Sequence, residues 1–243
     1  MNTKEKINFI SNWINSYATF NNFESLVIGI SGGIDSAVTS TLSAKTGLKT
    51  IVANMPILDH KITNDRGMSH IHWLKENFKN VEDLKIDLSD VFKNFKSALN
   101  KNNSEHGYAN SQARIRMATL YQIAASNNGI VVGTGNKVED FGIGFYTKYG
   151  DGGVDISPIA DCLKTEIWDM GKELMINQDI IDAAPTDGLW SDGRSDEDQV
   201  GLNYAEIEEA MINENSSNRD KYLEIRKNNV HKMNPIPVCI LPK

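Results

Sequence analysis

Cysteine is scarce in this chain: only Cys162 and Cys239 occur, far apart and without metal-ligand spacing. A disulfide-stapled scaffold and a cysteine-built zinc site are therefore excluded, and a reducing, cytosolic compartment is expected. Long apolar runs are missing too. The longest aliphatic stretch, around Leu26 to Ile30, falls far short of the ~20 residues that cross a bilayer. The N-terminal string MNTKEKINFISNW breaks its apolar positions with Asn, Lys and Glu, so no secretion signal is expected. Positive charge is in deficit, with 25 Lys+Arg against 32 Asp+Glu and a net charge of −7. That balance argues against broad nucleic-acid binding, which draws its affinity from Lys and Arg on phosphates, but it leaves room for a local basic pocket. No G-x-x-x-x-G-K-[ST] string exists, and Gly133-Thr134-Gly135-Asn136-Lys137-Val138 misses the dinucleotide pattern at its final glycine. Walker-type ATPases and ordinary Rossmann dehydrogenases drop out.

What is present suffices for a full core in one domain over residues 1–243, since 40% of the residues are hydrophobic and 23% charged. Short apolar runs alternate with helical stripes through the first 135 residues, the order of βα units on a parallel sheet. The expected strands are Leu26–Ile30, Thr50–Asn54, Leu84–Leu88 and Ile130–Thr134. Helices are expected around Ile34, Val38 and Leu42, around Met68, Ile71, Leu74 and Phe78, around Val91, Phe92, Phe95 and Leu99, and from Ala113 to Ala124. The polar stretch Lys101–Gly107 reads as a surface loop. Seven glycines from Gly133 to Gly153 imply backbone shaped around something. A helix should resume near Lys164, helical character should return from Asn203 to Arg226, and the acidic, glycine-bearing stretch Thr186–Gln199 reads as a mobile loop. The class is α/β, a doubly wound parallel sheet flanked by helices.

The most informative segment runs Leu26-Val27-Ile28-Gly29-Ile30-Ser31-Gly32-Gly33-Ile34-Asp35-Ser36. A strand passes through Ser-Gly-Gly directly into a helix. Glycines let backbone N–H groups approach an oxyanion, and the helix N-terminus adds partial positive charge, so a phosphate is the natural guest. A carboxylate beside that cradle, Asp35, repels the anion unless a cation lies between them, which implies Mg²⁺. An isolated Gly-Gly turn with Ser31 or Asp35 serving only as a helix cap is the plainer alternative. Glu139, after the fourth strand, can converge with Asp35 at the carboxyl edge of a parallel sheet, where such folds bind ligands.

This SGGIDS after a strand resembles the pyrophosphate loop of the N-type ATP pyrophosphatases, whose fold is adenine nucleotide alpha hydrolase-like. Later strings, NSQARIRMATLY (110–121), GTGNKVEDFGIGFYTKYGDGGVDISPIADCLKTEIWDMGKEL (133–174), PTDGLW (185–190) and HK (231–232), resemble the ammonia-dependent NAD synthetases within that superfamily. The resemblance implies a ligase that amidates deamido-NAD with ammonia at the expense of ATP, through an acyl-adenylate. It implies that Gly29, Ile30, Ser31, Gly32, Gly33, Ile34, Asp35 and Ser36 hold ATP, joined by Thr134, Lys164 and Thr186, with Asp35 and Glu139 on Mg²⁺. It places Arg114, Lys148, Asp155, His231 and Lys232 around deamido-NAD, with Asn110 and Tyr121 weaker candidates. Asp151 is read as orienting ammonia, although an Asp-Gly turn explains it equally well. Arg114 and Arg116, two apart on a helix, should diverge, one toward ligand and one structural. A homodimer is implied. Two departures stand out: ILDHKITNDRG after Pro56 lacks a glutamine common in the family, and Met233 follows His231-Lys232 where a basic residue is frequent. Because the resemblance begins near residue 24, no amidotransferase domain is expected before it. The alternative is another N-type pyrophosphatase that amidates or thiolates a different carbonyl.

Overall fold

The computed structural model describes residues 1–57, 61–185 and 199–242, with side chains of 61–63 left aside. Four parallel strands, β1 (Ser25–Gly29), β2 (Lys49–Asn54), β3 (Val81–Lys85) and β4 (Gly129–Val131), lie in the order β3-β2-β1-β4. Ser25 pairs with Lys49 on one side and with Gly129 on the other, so β1 is central. Helices α1 (Thr3–Phe20), α2 (Ile34–Ala44), α3 (Lys61–Asn77), α4 (Ser89–Leu99) and α5 (Glu105–Ser126) are followed by a π-helix at Lys137–Ile143. Then come α6 (Lys164–Glu173), α7 (Gln178–Ile181), α8 (Tyr204–Ile212) and α9 (Arg219–Met233).

Alternation along the strands divides the core, because successive side chains in a strand point to opposite faces. Leu26, Ile28 and Val52 pack with Ile14, Val38, Leu74, Ile167 and Met170 on one face. Val27, Ile51 and Ala53 pack with Phe92, Met117 and Leu120 of α4 and α5 on the other. A third cluster, Val138, Ile143, Tyr204, Ile207 and Tyr222, ties the π-helix to α8 and α9. Among the described residues no helix is long and apolar enough to cross a membrane.

Several expectations shift. The third strand is Val81–Lys85, three residues earlier than Leu84–Leu88. It is an edge strand whose Glu82, Asp83 and Lys85 are polar, so apolar alternation does not mark it. Ile86 and Leu88 instead pack beneath α4, and their N–H groups donate to the Asn54 and Pro56 carbonyls beyond the regular ladder. The fourth strand stops at Val131, and Val132 then bridges Ile156. The loop 101–107 is shortened because Ser104 caps α5 at Gly107 N. Helical character after Asn203 breaks into two helices, and α1, unmarked in the sequence reading, is fixed by a capping box between Asn2 and Glu5 above buried Ile7, Ile10 and Ile14. The Thr186–Gln199 loop, apart from Gln199, lies outside the described residues.

Candidate active site

The strand order places β1 beside β4, where crossovers leave in opposite directions and ligands bind at the carboxyl edge. Both key loops emerge there, into one cleft of about 1040 Å³ lined by Gly29, Ser31, Gly33, Asp35, Ser36, Thr134, Glu139 and Lys164, among others. Gly32 carries φ 85°, a conformation that favours glycine, and its flanks are braced by hydroxyls. Ser36 Oγ donates to Gly33 O at 2.9 Å, Ser31 Oγ lies 3.0 Å from Ser36 Oγ, and Gly33 N donates to Ser31 Oγ at 3.2 Å. Neither Ser31 nor Asp35 caps α2. Gly33 is the N-cap and no side chain closes the helix end, so its first N–H groups face the cleft as an anion site.

At the heart of the site lies an ion triad. Lys164 Nζ donates to Asp35 Oδ2 at 2.5 Å and to Glu139 Oε1 at 2.7 Å, and the lysine side chain is 3% exposed. Asn136, buried after β4, orders both partners: its Nδ2 donates to Asp35 Oδ1 at 3.0 Å, while its Oδ1 accepts from Val138 N and Glu139 N and so caps the π-helix. Tyr204 OH donates to Glu139 Oε1 at 2.5 Å. Burial pushes the Asp35 carboxyl up, with Lys164 opposing and Glu139 adding to the rise. For Glu139 burial also acts upward, but the charge and hydrogen bond of Lys164 and the bonds of Tyr204 and Asn136 outweigh it and hold the group below its ordinary value. Burial opposes the Lys164 charge, and the two carboxylates overcome it, so the ammonium is held well above the ordinary lysine value.

The pair has the chemistry of a Mg²⁺ site: hard carboxylate oxygens already converge on one positive charge. Among the described residues no three His, Cys, Asp or Glu side chains gather for a metal. Asp35 and Glu139 would therefore share the ion with phosphate oxygens and water, as Mg²⁺ commonly does.

One wall of the cleft carries four of the five residues that the resemblance gives to the second substrate, Asp155 being the exception, together with Asp151. Arg114, Lys148, Asp151, His231 and Lys232 all line the cleft. Arg114 Nε donates to Lys148 O at 3.2 Å and Arg116 Nε to Met55 O at 3.0 Å. Both arginines line the cleft, but their surroundings differ: Arg114 is exposed, whereas Arg116 is more deeply set, and burial pushes its guanidinium down to about 10. His231 and Lys232 sit in the last turn of α9, not in a loose tail, and Lys232 Nζ donates to Tyr146 O at 2.9 Å. Asp151 serves its turn and the cleft together. Its Oδ1 accepts from Thr147 N at 3.1 Å, and although the residue is exposed, the atoms packed around its carboxyl push it up against the opposing bond from Thr147 N. Asn110 joins the same wall, its Oδ1 accepting from Thr147 Oγ1 at 2.7 Å.

Asp155 stands apart. It does not line the cleft; its Oδ1 accepts from Tyr121 OH at 3.0 Å and its Oδ2 from Val131 N at 2.7 Å. Thr186 lies outside the described residues. The sequence reading missed Asn136 and Tyr204, which organise the triad. Asn136 could have been found as an N-cap before Glu139, whereas Tyr204 carries no local signal, being 65 residues from its partner.

The family described as NAD synthase matches residues 6–236. The chain belongs to the NAD synthase family. It is 35% identical to the NH(3)-dependent NAD(+) synthetase of Carboxydothermus hydrogenoformans over 87% of this chain and 86% of that protein. It is 36% identical to the protein of the same name from Saccharolobus solfataricus over 97% and 81%. Among solved structures, NMN synthetase from Francisella tularensis superposes with a TM-score of 0.88 at 30% identity, covering 100% of this chain and 99% of that one. The NH3-dependent NAD synthetase of Campylobacter jejuni, at 23% identity and TM-score 0.79, shows the same fold over 99% of this chain and 100% of that one.

Proposed function

We propose that the protein is a cytosolic, ammonia-dependent NAD synthetase that converts deamido-NAD, ATP and ammonia to NAD, AMP and pyrophosphate. The observation that carries this is the Asp35–Lys164–Glu139 triad set against the open N-terminus of α2 in one cleft with Arg114 and Lys232. The relatives favour it over a pyrophosphatase acting on another carbonyl.

A nicotinate carboxylate is a poor acyl donor because oxide would have to leave. In the proposed reaction its oxygen attacks the α-phosphorus of ATP, pyrophosphate departs, and an acyl-adenylate forms. Ammonia then adds to the carbonyl and AMP leaves. The Ser31–Ser36 cradle and the α2 N–H groups hold phosphate oxygens in place, and Lys164 meets the charge that grows on pyrophosphate. Asp35 and Glu139 would hold Mg²⁺, which when bound neutralises phosphate charge. Arg114, Lys148, His231 and Lys232 position the pyridine nucleotide, and Asp151 orients ammonia. Asp155, outside this chain's cleft, fits a homodimer in which a second copy completes the dinucleotide site.

A second reading, carried by the likeness to the Francisella tularensis NMN synthetase, keeps the same chemistry but takes nicotinate mononucleotide as the acyl donor. The test measures AMP and pyrophosphate formation with ATP, ammonium and either deamido-NAD or nicotinate mononucleotide. The primary reading requires a higher kcat/KM for the dinucleotide. A preference for the mononucleotide selects the second, and turnover of neither overturns both.

A further inference from the structure

The cradle holds one cation that the signature motif does not include. Arg66 lies on α3, close to the start of the helix, and lines the same cleft as Ser31, Gly33 and Asn64. Its neighbour Gly67 presses α3 against the phosphate loop: a Cβ there would sit 3.5 Å from Gly32 N and 3.5 Å from Ile30 Cγ2. Arg66 Nε is buried and has no hydrogen-bond partner. Among the described residues no carboxylate pairs with its guanidinium. The side chain as a whole is half-buried, so the cost falls on this one donor, which solvent does not reach and no acceptor meets. By contrast, four other cations of the cleft each have a polar partner within the chain: Lys164 is held by two carboxylates, Arg114 Nε and Arg116 Nε each donate to a backbone carbonyl, and Lys232 Nζ donates to Tyr146 O.

An orphaned guanidinium donor beside a glycine loop and an uncapped helix N-terminus matches one chemical class, a phosphate oxyanion able to accept two parallel N–H bonds. We infer that Arg66 is a further substrate-contacting residue that grips the pyrophosphate portion of ATP from the α3 side, across the cradle from Lys164. This inference rests on the proposed ATP chemistry and adds to it a second cation that meets the leaving group. It gives a function to Arg66, which lies in the segment whose sequence departs from the family's pattern.

The test uses calorimetric binding of inorganic pyrophosphate, ATP and adenosine, each with excess Mg²⁺, to the wild-type full chain and to R66M and R66K. Loss of a charge-assisted contact should weaken pyrophosphate and ATP by about 10- to 100-fold in R66M, leave adenosine unchanged, and be partly restored in R66K. Equal pyrophosphate affinity in wild type and R66M overturns the inference. So does a loss that is as large for adenosine as for pyrophosphate, which would mean a collapsed cradle. Should R66M not fold by circular dichroism, R66K and R66Q carry the comparison on the same criteria. If the wild type itself binds neither ATP nor pyrophosphate, the functional reading fails instead, and the two failures are distinct.

Discussion

Replacing Lys164 with Met isolates the energetics of the triad. The substitution keeps the length of the side chain but leaves Asp35 and Glu139 facing each other without the charge between them. Their oxygens lie 2.5 and 2.7 Å from Nζ, so they stand no more than about 5 Å apart. At an effective dielectric of about 20, that repulsion is on the order of 3 kcal/mol. An independent route gives the same size, since removing one member of a buried ion pair costs roughly 3–5 kcal/mol. The lower end applies here, because the Asp35 and Glu139 side chains are 17% and 16% exposed and water can reach them. For a chain of this size a loss of about 3 kcal/mol lowers Tm by roughly 6–12 °C. The deficit must depend on pH. In the variant, burial and mutual repulsion raise the folded-state values of the carboxylates above their unfolded values. The folded state then takes up protons more readily as pH falls, so the penalty is full at high pH and fades through the raised values. Thermal melts of wild type and Lys164→Met at pH 8 and pH 5.5 test this. A deficit that is absent, or equal at the two pH values, refutes the electrostatic account of the triad.

His70 is fully buried, its Nε2 3.0 Å from Ser40 Oγ and its ring stacked on Trp73, and burial pushes its value down to about 4. Because the folded form resists protonation, stability is full above about pH 6.5 and falls by up to about 3 kcal/mol as pH drops toward 4; urea unfolding at pH 7 and 4.5 should show the loss, and His70→Gln should flatten that window. Glutamine should not replace ammonium as nitrogen donor, because Cys162 is buried with its thiol pushed up to about 11 and so is not poised as a nucleophile. Glutamate release coupled to product, with contaminating ammonium removed, would contradict this, while the ammonium-driven rate should rise with pH as the fraction of uncharged ammonia grows.

What the sequence made legible follows from how local each signal is. The Ser-Gly-Gly loop is contiguous: strand, glycines and helix start lie within a dozen residues, and each acts on the backbone of the next. Both carboxylates could be paired in advance because a parallel sheet brings the ends of β1 and β4 to one edge, whatever lies between them. The edge strand β3 was misplaced because the pattern sought, apolar alternation, belongs to strands buried on a face, and Val81–Lys85 is polar and exposed along much of its length. Helix α1 escaped for the opposite reason. Its core positions Ile7, Ile10 and Ile14 follow helical spacing, but Phe9, Trp13 and Tyr17 lie exposed on the other side and blur the stripe.

The π-helix is the least legible element and shapes the site most. Lys137–Ile143 contains no residue that excludes an ordinary α-helix. Its wider turn depends on contacts made elsewhere: Asn136 Oδ1 accepting two successive N–H groups, Gly144 at φ 69° ending it, and Arg226 and Asn229 of α9 donating to the carbonyls of Phe141, Gly142 and Ile143. A segment held from outside in this way places Glu139 toward Lys164 while α9 brings His231 and Lys232 to the same cleft. Thus Glu139 and the pair His231-Lys232 are linked through α9, and a change that loosens the Arg226 or Asn229 bonds should disturb both together. Bulged turns of this kind recur at functional sites because they re-aim one side chain without breaking the element. Here the re-aimed residue is the carboxylate that balances Asp35 across a single buried ammonium.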